Sequence, residues 1–401
     1  MTKTVTTGKA TDLITFTRST TGTYLGSDGL LKTANTNEPR IEYDANGNLK
    51  GLLIEEQRTN LVSDSEDMVV PFSRLTPENT TSPTGETTAK SWKISDQTSG
   101  YWYNFAPINS GTIYTASVFV KLPTEANNAG LRYVRLGSQT TFSTDNAVFD
   151  LQTGTQTSAS AGLVGSSITP YGNGWYRISN TDTATSTTSG GSFSFVLFPA
   201  SDSSGGSWTQ TSDMIGKYLL HTFGWQTEQG SFPTSYIPTS GSTVTRNADV
   251  ATINLSEFEY NHTESTILVE GEKTARNTSS TGVFTFVAIH DGGSSDRVLL
   301  YYNNSILRGQ VKSANNVVAQ LTSEVAEGGK LGLAYKENDV AFTSNGGAVN
   351  TDTSAAMPAG LNTLAIGGYS YSTGQNLNGH IKSVKYYPVR LTDNQLKALT
   401  Q

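Results

Sequence analysis

The amino-acid sequence predicts an all-β protein with two tandem antiparallel β-sandwich (jelly-roll) domains behind a short N-terminal segment rich in β-hairpins. Composition is the first reason: charged residues make up 15% of the 401 residues, against about 25% in typical soluble domains. The chain is instead rich in Gly, Tyr and Phe, with 39, 18 and 15 residues. Short runs that alternate apolar and polar residues recur between Ser-, Thr- and Gly-rich stretches, as half-buried strands and their turns require.

Residues 1–60 are predicted to form a turn-rich anchoring segment. The stretches 24–31 and 43–49 carry Asp-Gly and Asn-Gly, which favour tight hairpin turns. The most apolar stretch follows at 51–61. We expect it to be a buried strand that leads into the first sandwich.

Residues 61–245 are predicted to form the first sandwich, because many short β-like runs follow one another with loops between them. Pro233, Pro238 and Gly241 mark the boundary to the next domain. The clearest predicted strands are 112–121, 131–136, 146–151, 174–178, 192–198 and 217–225.

Residues 246–401 repeat this pattern and are predicted to form the second sandwich. A helix is expected at 393–399, with Thr392 or Asp393 as its cap and with Leu396 and Leu399 on one face. The predicted strands are 265–271, 282–290, 297–303, 330–335, 339–344 and 380–387.

Charge and cysteine content exclude several classes of function. The net charge is −7 and no run of Lys or Arg occurs, so we expect no binding to nucleic acid or to anionic lipid. The absence of cysteine excludes disulfides, thiolate metal sites and cysteine nucleophiles. No stretch has the length of a signal peptide or a membrane helix, so synthesis in a cytoplasm without membrane insertion is expected.

Three parts of the sequence resemble structural proteins of tailed bacteriophage virions. In those proteins a carbohydrate-binding-module-like jelly roll precedes a concanavalin/laminin-G-like jelly roll. The resemblance implies a virion protein of the tail fibre, tail spike, baseplate appendage or head-decoration type. The matching stretches are FTRSTTGTY (16–24) with NEPRIEYD (37–44) and 51–61, GWQTEQGSFPTSYIPT (224–239) with VTRNAD (244–249), and HIKSVKYYPVRLTDNQL (380–396).

The resemblance also implies location and partners. The protein is expected in the virion, in contact with other virion proteins, as a homo-oligomer for which family habit suggests a trimer. The matching motif begins close to Met1. From this position we expect a compact knob, spike tip or decoration protein rather than a long fibre.

The acidic pair Glu55 and Glu56 does not have the pattern of a glycosidase. Glycoside hydrolysis needs two carboxylates that flank one bond, whereas neighbouring residues of a strand point to opposite faces. The family resemblance includes an acid, an arginine and an asparagine here, which match Glu55 or Glu56, Arg58 and Asn60. We interpret these four residues as a structural ion-pair and hydrogen-bond network.

Aromatic side chains are the candidate glycan contacts, because ligand sites are commonly lined by aromatic rings with a few polar groups. In the run 101–105, strand alternation predicts that Trp102 points to one face and the two tyrosines to the other. Burial in the core or at a subunit interface is the alternative, and a plain loop is favoured for 367–374. The candidates are Tyr101, Trp102, Tyr103, Trp208, Tyr369 and Tyr371.

The loop 290–297 is the candidate cation site. Asp291 and Asp296, with loop carbonyls, are the hard oxygen ligands that Ca²⁺ prefers. Concanavalin-like folds often hold Ca²⁺ in such loops. The alternative, which we favour, is an Asp-Gly turn with a solvated acid. No other cofactor is expected, and none of the four histidines has the spacing of a metal site.

Three hypotheses of function follow. The leading one is a non-enzymatic virion protein that binds host-surface glycans. The second is a purely structural head-decoration or tail adaptor protein whose aromatic residues lie at interfaces. The third, a polysaccharide depolymerase, is disfavoured because the chain lacks both a β-helix repeat and a convincing acid pair.

Overall fold

The structure is a computed structural model of the chain. Within the residues it describes, none of the helices has the length and apolar character that crossing a membrane requires. The described residues are 13–67, 74–98, 100–138, 142–143, 145–189, 193–273, 282–303, 306–323, 328–369 and 375–401.

The N-terminal part of the chain forms short strands joined by tight turns. Strands β2 to β5 form the two hairpins that the Asp-Gly and Asn-Gly signals predict. Gly29 and Gly47 have φ values of 72° and 80°, a left-handed conformation that glycine adopts without a Cβ clash. The strands are β1 (Thr15–Thr17), β2 (Gly22–Leu25), β3 (Leu31–Ala34), β4 (Ile41–Tyr43), β5 (Leu49–Ile54) and β6 (Arg58–Asn60).

The middle of the chain forms the strands of the first sandwich. They are β7 (Leu75–Thr80), β8 (Ala89–Ile94), β9 (Trp102–Phe105), β10 (Ile113–Lys121), β11 (Tyr133–Ser138), β12 (Asn146–Asp150), β13 (Thr155–Ala159), β14 (Gly165–Pro170), β15 (Tyr176–Thr183), β16 (Phe193–Ala200) and β17 (Tyr218–Gln229).

The remainder forms the second sandwich and a C-terminal helix. The elements are β18 (Val244–Arg246), β19 (Val250–Asn254), β20 (Glu264–Lys273), β21 (Val283–His290), β22 (Arg297–Asn303), β23 (Ile306–Ser313), β24 (Asn316–Thr322), β25 (Gly328–Lys336), β26 (Asp339–Ser344), β27 (Asn350–Asp352), β28 (Thr363–Ile366), β29 (Gly379–Tyr387) and α1 (Asp393–Leu399). Every strand of the predicted list for this region is present, with ends that differ by at most two residues.

In the first sandwich a six-stranded sheet, β14-β15-β10-β17-β8-β7, faces a five-stranded sheet, β13-β12-β11-β16-β9. Their core includes Trp92, Trp102 and Phe149, each at most 2% exposed. A second cluster covers the outer face of the six-stranded sheet, where Leu31 of the hairpin β2–β3 packs with Phe119 and other rings. The hairpin therefore occupies one outer face of this sandwich.

In the second sandwich two seven-stranded sheets enclose the larger core. Strand β1 pairs with β19, and β5 pairs with β29 while β4 forms the edge. Phe16 and Ile54 belong to this core. The structure thus differs from the predicted separate anchoring segment at 1–60, because strands from this segment complete both sheets of the C-terminal sandwich.

Helix α1 begins as its sequence predicts. Thr392 accepts a hydrogen bond from the Gln395 amide, and the Gln395 side chain returns to the Thr392 backbone, which forms a capping box. Leu396 is fully buried, whereas Leu399 is 39% exposed. Leu396 packs with Leu268, Ala334 and Ala341, so it is the leucine through which the helix contacts the sheet.

Candidate functional site

A row of aromatic rings lies on the outer face of the five-stranded sheet. Tyr101 directly precedes β9, Tyr103 and Phe105 lie on β9, and Phe198 lies on the neighbouring strand β16. The ring centroids are 5.4 Å apart for Tyr101 and Phe198, 5.3 Å for Tyr103 and Phe105, and 6.3 Å for the two tyrosines. These spacings are those of contacting aromatic pairs. We call these four residues the aromatic face.

Strand geometry explains how the aromatic face forms. Successive side chains of a strand point to opposite sides, so Tyr101, Tyr103 and Phe105 share one side of β9. The antiparallel register places Leu197 opposite Trp102, and this brings Phe198 beside Tyr101. Two strands thus supply one continuous apolar surface.

The rings pack against one another and differ in their exposure, since Tyr103 is buried with 9% of its surface exposed. Phe105 is 38% exposed, and Tyr101 and Phe198 are half-buried. Burial, with a smaller contribution from the neighbouring Tyr101, raises the pKa of Tyr103 above its usual value. Its phenol therefore stays neutral and can both donate and accept a hydrogen bond.

A cation lies at one end of the aromatic face. The Arg135 guanidinium of β11 lies 4.6 Å from the centroid of the Phe198 ring. Its Nη1 donates to the Gly205 carbonyl at 3.2 Å. Burial lowers the pKa of Arg135. An aromatic surface with an adjacent fork of N–H donors is suited to a ligand that has both C–H faces and oxygen acceptors.

Trp102 points away from this surface. Its side chain is 0% exposed and its ring lies 5.9 Å from that of Trp92 in the core. The prediction that Trp102 contacts a glycan is therefore wrong. Strand alternation directs the Trp102 side chain into the core, while Tyr101 and Tyr103 lie on the opposite side of β9. Trp208 is half-buried and packs against the same core.

The two remaining aromatic candidates belong to the second sandwich. Tyr369 is 7% exposed and packs with Leu299 and Tyr301. The Arg297 guanidinium lies 5.7 Å from the centroid of its ring. Tyr369 is thus a packed residue rather than part of an open loop, and Tyr371 lies outside the described residues.

The two candidate calcium ligands both accept hydrogen bonds from backbone amides, Asp291 within its own turn and Asp296 from two distant parts of the chain. Asp291 Oδ1 accepts from the Gly293 amide at 2.8 Å. Asp296 Oδ1 accepts from the amides of Ala359 at 2.9 Å and Ala314 at 3.3 Å. Among the residues that the structure describes, no group of three or more His, Asp or Glu side chains is placed to hold a metal ion. Calcium binding here stays a prediction.

The predicted acid, arginine and asparagine residues lie where the N-terminal strands meet both sandwiches. Glu55 pairs with Arg40 at 2.8 Å and with Arg246 at 3.4 Å. Burial alone would raise the pKa of Glu55, but Arg246 and Arg40 outweigh burial and hold this pKa far below its usual range. Glu55 is therefore a fixed negative charge inside a buried network.

The other members extend the same network. Arg58 pairs with Glu56 and lies 3.6 Å from Glu228. The Asn60 amide donates to the carbonyls of Trp225 at 3.2 Å and Ile237 at 2.9 Å. These contacts join β6 to β17 and to the chain that follows it, so these side chains hold elements together rather than face a ligand.

One pair of carboxylates does approach closely, at the end of the first sandwich. The Ser143 hydroxyl donates to Asp145 at 2.8 Å and lies 3.4 Å from both carboxylate oxygens of Asp182. Burial, opposed by hydrogen bonds and aided by the charge of Asp145, raises the pKa of Asp182. Because Asp182 is 1% exposed, this pair cannot flank a glycosidic bond.

A cleft of about 460 Å³ is lined mostly by polar residues and has no aromatic side chain. The aromatic face is not part of this cleft, and its rings Tyr101, Phe105 and Phe198 reach solvent on an outer sheet face. An open sheet face can contact an extended polymer along its length, whereas small molecules are usually held in concave sites.

Phe105, Phe198 and Arg135 were not among the candidates from the sequence. The sequence could have indicated Phe105, because it lies two residues after Tyr103 and residues two apart on a strand share a side. Phe198 and Arg135 fall inside the predicted strands 192–198 and 131–136. Their approach to Tyr101 depends on which strands pair, and the local sequence carries no signal for that.

Comparison with protein-family models finds no match, and neither does comparison with curated proteins. Among solved structures, the chain is similar to CBM40 of the Ruminococcus gnavus IT-sialidase, with 18% identity over 35% of this chain and 84% of that one and a TM-score of 0.30. It is also similar to domains LG4-5 of the mouse laminin alpha1 chain, with 12% identity over 78% and 91% of the two chains and a TM-score of 0.24.

A third similar structure is the N-terminal CBM22-1-CBM22-2 tandem domain of Paenibacillus barcinonensis Xyn10C. It has 8% identity over 86% of this chain and 99% of that one, with a TM-score of 0.21. At such identities and TM-scores these likenesses carry no functional argument. The all-β fold rests on the strands and sheets of this chain itself.

Proposed function

We propose that this chain is a non-enzymatic structural protein of a phage virion and that it binds host-surface glycans through the aromatic face. The observation that carries the glycan proposal is the row of Tyr101, Tyr103, Phe105 and Phe198 on an outer sheet face. The virion proposal rests on the resemblance of the motifs at 16–61, 224–249 and 380–396.

The chemistry of saccharides suits this surface. A sugar ring presents C–H groups on its faces, which pack on aromatic rings, and hydroxyls on its edge, which need hydrogen-bond partners. The aromatic face supplies the rings, and the phenol groups of Tyr101 and Tyr103 supply donors and acceptors. Because the surface is open, it suits one stretch of a longer glycan.

Display on a particle would strengthen such binding. Single sites on open surfaces bind weakly, and many copies on one particle multiply the effect through a high effective concentration. A symmetric homo-oligomer, for which we propose a trimer, is a common way to present identical sites. Other virion proteins are the expected partners of the N-terminal part of the chain.

The second candidate is a head-decoration or tail adaptor protein. In that case the aromatic face is buried against another virion subunit, as exposed apolar patches often are. A depolymerase is disfavoured because the close pair of Asp145 and Asp182 is inaccessible to a polymer. A decoration or adaptor protein is expected to retain no glycan when it is isolated. A depolymerase is expected to release shorter saccharides from a polysaccharide.

A glycan array tests the binding proposal. The wild-type chain and the double variant Tyr101→Ala/Tyr103→Ala are applied in parallel, with Tyr43→Ala as the matched control because Tyr43 is a half-buried tyrosine of the distant edge strand β4. We expect wild type and control to bind the same glycans and the double variant to lose at least about tenfold in affinity, or about 1.4 kcal/mol. Equal binding by all three proteins would contradict the proposal.

Cryo-electron microscopy of the intact particle tests the location. Density for this chain at a tail or appendage tip, with Tyr101 and Phe105 facing solvent, would support receptor binding. Density across the head lattice or inside a tail joint, with those rings between subunits, would leave the structural alternative.

A further inference from the structure

Arg135 of β11 differs from Arg132, which directly precedes this strand, in its pairing with carboxylates. Arg132 forms a bidentate pair with Asp150, with distances of 2.6 to 3.0 Å. Arg135 has no carboxylate within ion-pair distance among the described residues. The positive charge of Arg132 is thus balanced by a carboxylate of the protein, whereas that of Arg135 is not balanced by any described residue.

The pKa values of these two groups change in opposite directions. The hydrogen bond with Asp150 raises the pKa of Arg132. Burial lowers the pKa of Arg135, and no acidic group opposes this effect. Placing a cation in a half-buried position without a partner costs free energy, so the position favours any anion that can reach it.

The surroundings of Arg135 orient the guanidinium. The plane lies near the Phe198 ring, with 4.6 Å between Cζ and the ring centroid, and Nη1 is fixed by the Gly205 carbonyl at 3.2 Å. A guanidinium has five N–H donors, and the remaining donors have no acceptor among the described residues. They lie beside the aromatic face.

We infer that the aromatic face selects saccharides that carry an oxyanion, and that Arg135 binds this oxyanion while the rings of Tyr101 and Phe198 pack on the sugar. The inference rests on the proposed glycan binding and adds its ligand class. The oxyanion is a carboxylate, sulfate or phosphate group, since a guanidinium pairs with each of these through parallel N–H bonds.

The charge of the whole chain makes this selection a local effect. The net charge is −7, so the protein as a whole does not attract an anionic polymer. A preference for acidic sugars must come from a group at the contact itself. Arg135 is the cation that touches the aromatic face.

The test uses the full-length chain and an array of matched pairs of acidic and neutral saccharides. The pairs are oligogalacturonates and their methyl esters, sialylated and plain lactose, sulfated and plain lactose, and phosphorylated and plain mannose. Five proteins are compared: wild type, Arg135→Gln, Arg135→Lys, Arg132→Gln as the matched control, and Tyr101→Ala/Tyr103→Ala. Circular dichroism of each variant confirms that it is folded.

We expect wild type and Arg132→Gln to prefer the acidic member of at least one pair by about tenfold, which corresponds to one hydrogen bond to a charged group. Arg135→Gln is expected to lose this preference, so that it binds the acidic and the neutral member of each pair with equal affinity. Arg135→Lys keeps the charge but not the fork of donors and is expected to fall between the two. The pair with the strongest preference identifies the oxyanion.

The outcomes separate this inference from the proposal on which it rests. Equal binding of acidic and neutral members by wild type, or an unchanged preference in Arg135→Gln, would overturn the inference and leave glycan binding intact. Binding of no member of any pair by wild type would overturn both. If the tyrosine double variant is the one protein that loses binding to both members of every pair, acidic and neutral saccharides bind to the same aromatic face.

Discussion

Asp249 shows at the scale of a single residue what holds the domains together. Its side chain has no exposed surface and pairs with Arg18 at 3.0 Å and with Arg40. One of its oxygens also accepts from the Glu55 amide at 2.9 Å. Both arginine side chains are themselves fully buried. Arg40 also pairs with Glu55 at 2.8 Å, whereas Asp249 is the carboxylate that pairs with Arg18 among the described residues.

We predict that Asp249→Asn destabilises the protein by about 3–5 kcal/mol, because it removes the carboxylate that pairs with the buried Arg18 and leaves Arg40 with Glu55 alone. Urea unfolding, followed by circular dichroism, measures the change. Asp28→Asn is the matched control, since Asp28 forms an exposed pair with Lys32, and surface substitutions usually change stability by about 0.5 kcal/mol or less. A similar effect of both substitutions would contradict the structural role of the buried network.

For single residues, the sequence predicts which side chains of one strand share a side, but it does not predict which residues of other strands join them. Alternation predicts that Trp102 and the two flanking tyrosines point to opposite sides of β9, and the structure agrees. It does not predict which side meets the core, because that depends on the opposing sheet. Phe198 and Arg135 join Tyr101 through strand pairing, which involves residues far apart in the sequence.

His380 joins four elements of the molecule. Its Nε2 lies 2.6 Å from Glu42 of β4, and its Nδ1 lies 3.5 Å from Glu272 of β20. Lys50 of β5 pairs with Glu272 at 3.4 Å. Burial alone would lower the pKa of His380, but hydrogen bonds with Glu272 and Glu42 outweigh burial and raise it above 6.5. In its protonated form, His380 pairs with carboxylates of β4 and β20 and thus joins an N-terminal strand to the second sandwich.

This arrangement predicts a pH dependence of stability. Because the folded state holds the proton more tightly than the unfolded state, the stabilisation is complete below pH 6.5 and is lost as pH rises through the raised pKa. We expect the melting temperature of wild type to fall between pH 6 and pH 9 by more than that of His380→Gln. His262→Gln, at an exposed histidine, is the control and is expected to follow wild type. Parallel pH profiles for all three proteins would refute this role.

The positions of the strands and of the helix are largely predictable from the sequence, whereas the pairing of distant strands within a sheet is not. The strand predicted at 297–303 is observed with the same bounds, and the Thr392 cap of α1 is confirmed. The strand pattern of 51–61 also marks β5 as buried. The pattern does not predict that β5 pairs with β29, which lies more than 320 residues away. The alternation of apolar and polar residues indicates which side of a strand is buried, but not which strand lies beside it.

At the scale of the whole molecule, the two sandwiches have separate cores, and the N-terminal strands β1, β4 and β5 belong to the sheets of the second. Ile54 is fully buried in the core of the second sandwich. All five tryptophans lie between residues 61 and 245, the range of the first sandwich. Tryptophan fluorescence therefore reports on the first sandwich, whereas far-ultraviolet circular dichroism reports on both.

We predict that Ile54→Ala destabilises the second sandwich by about 2–5 kcal/mol. The unfolding curve from circular dichroism is expected to gain an early transition, while the fluorescence midpoint changes little. Leu136→Ala, which removes a fully buried side chain from the core of the first sandwich, is expected to shift the fluorescence midpoint instead. Coincident shifts of both signals for Ile54→Ala would show that the two sandwiches unfold as one unit.

The aromatic face is the proposed glycan-binding surface of the molecule. A crystal structure of the chain with the best-bound glycan from the array would locate the sugar directly. We expect sugar density packed on Tyr101, Tyr103 and Phe198 with an oxygen of the ligand at Arg135. Density at another surface, such as the second sandwich near Tyr369, with the aromatic face free of ligand, would contradict it.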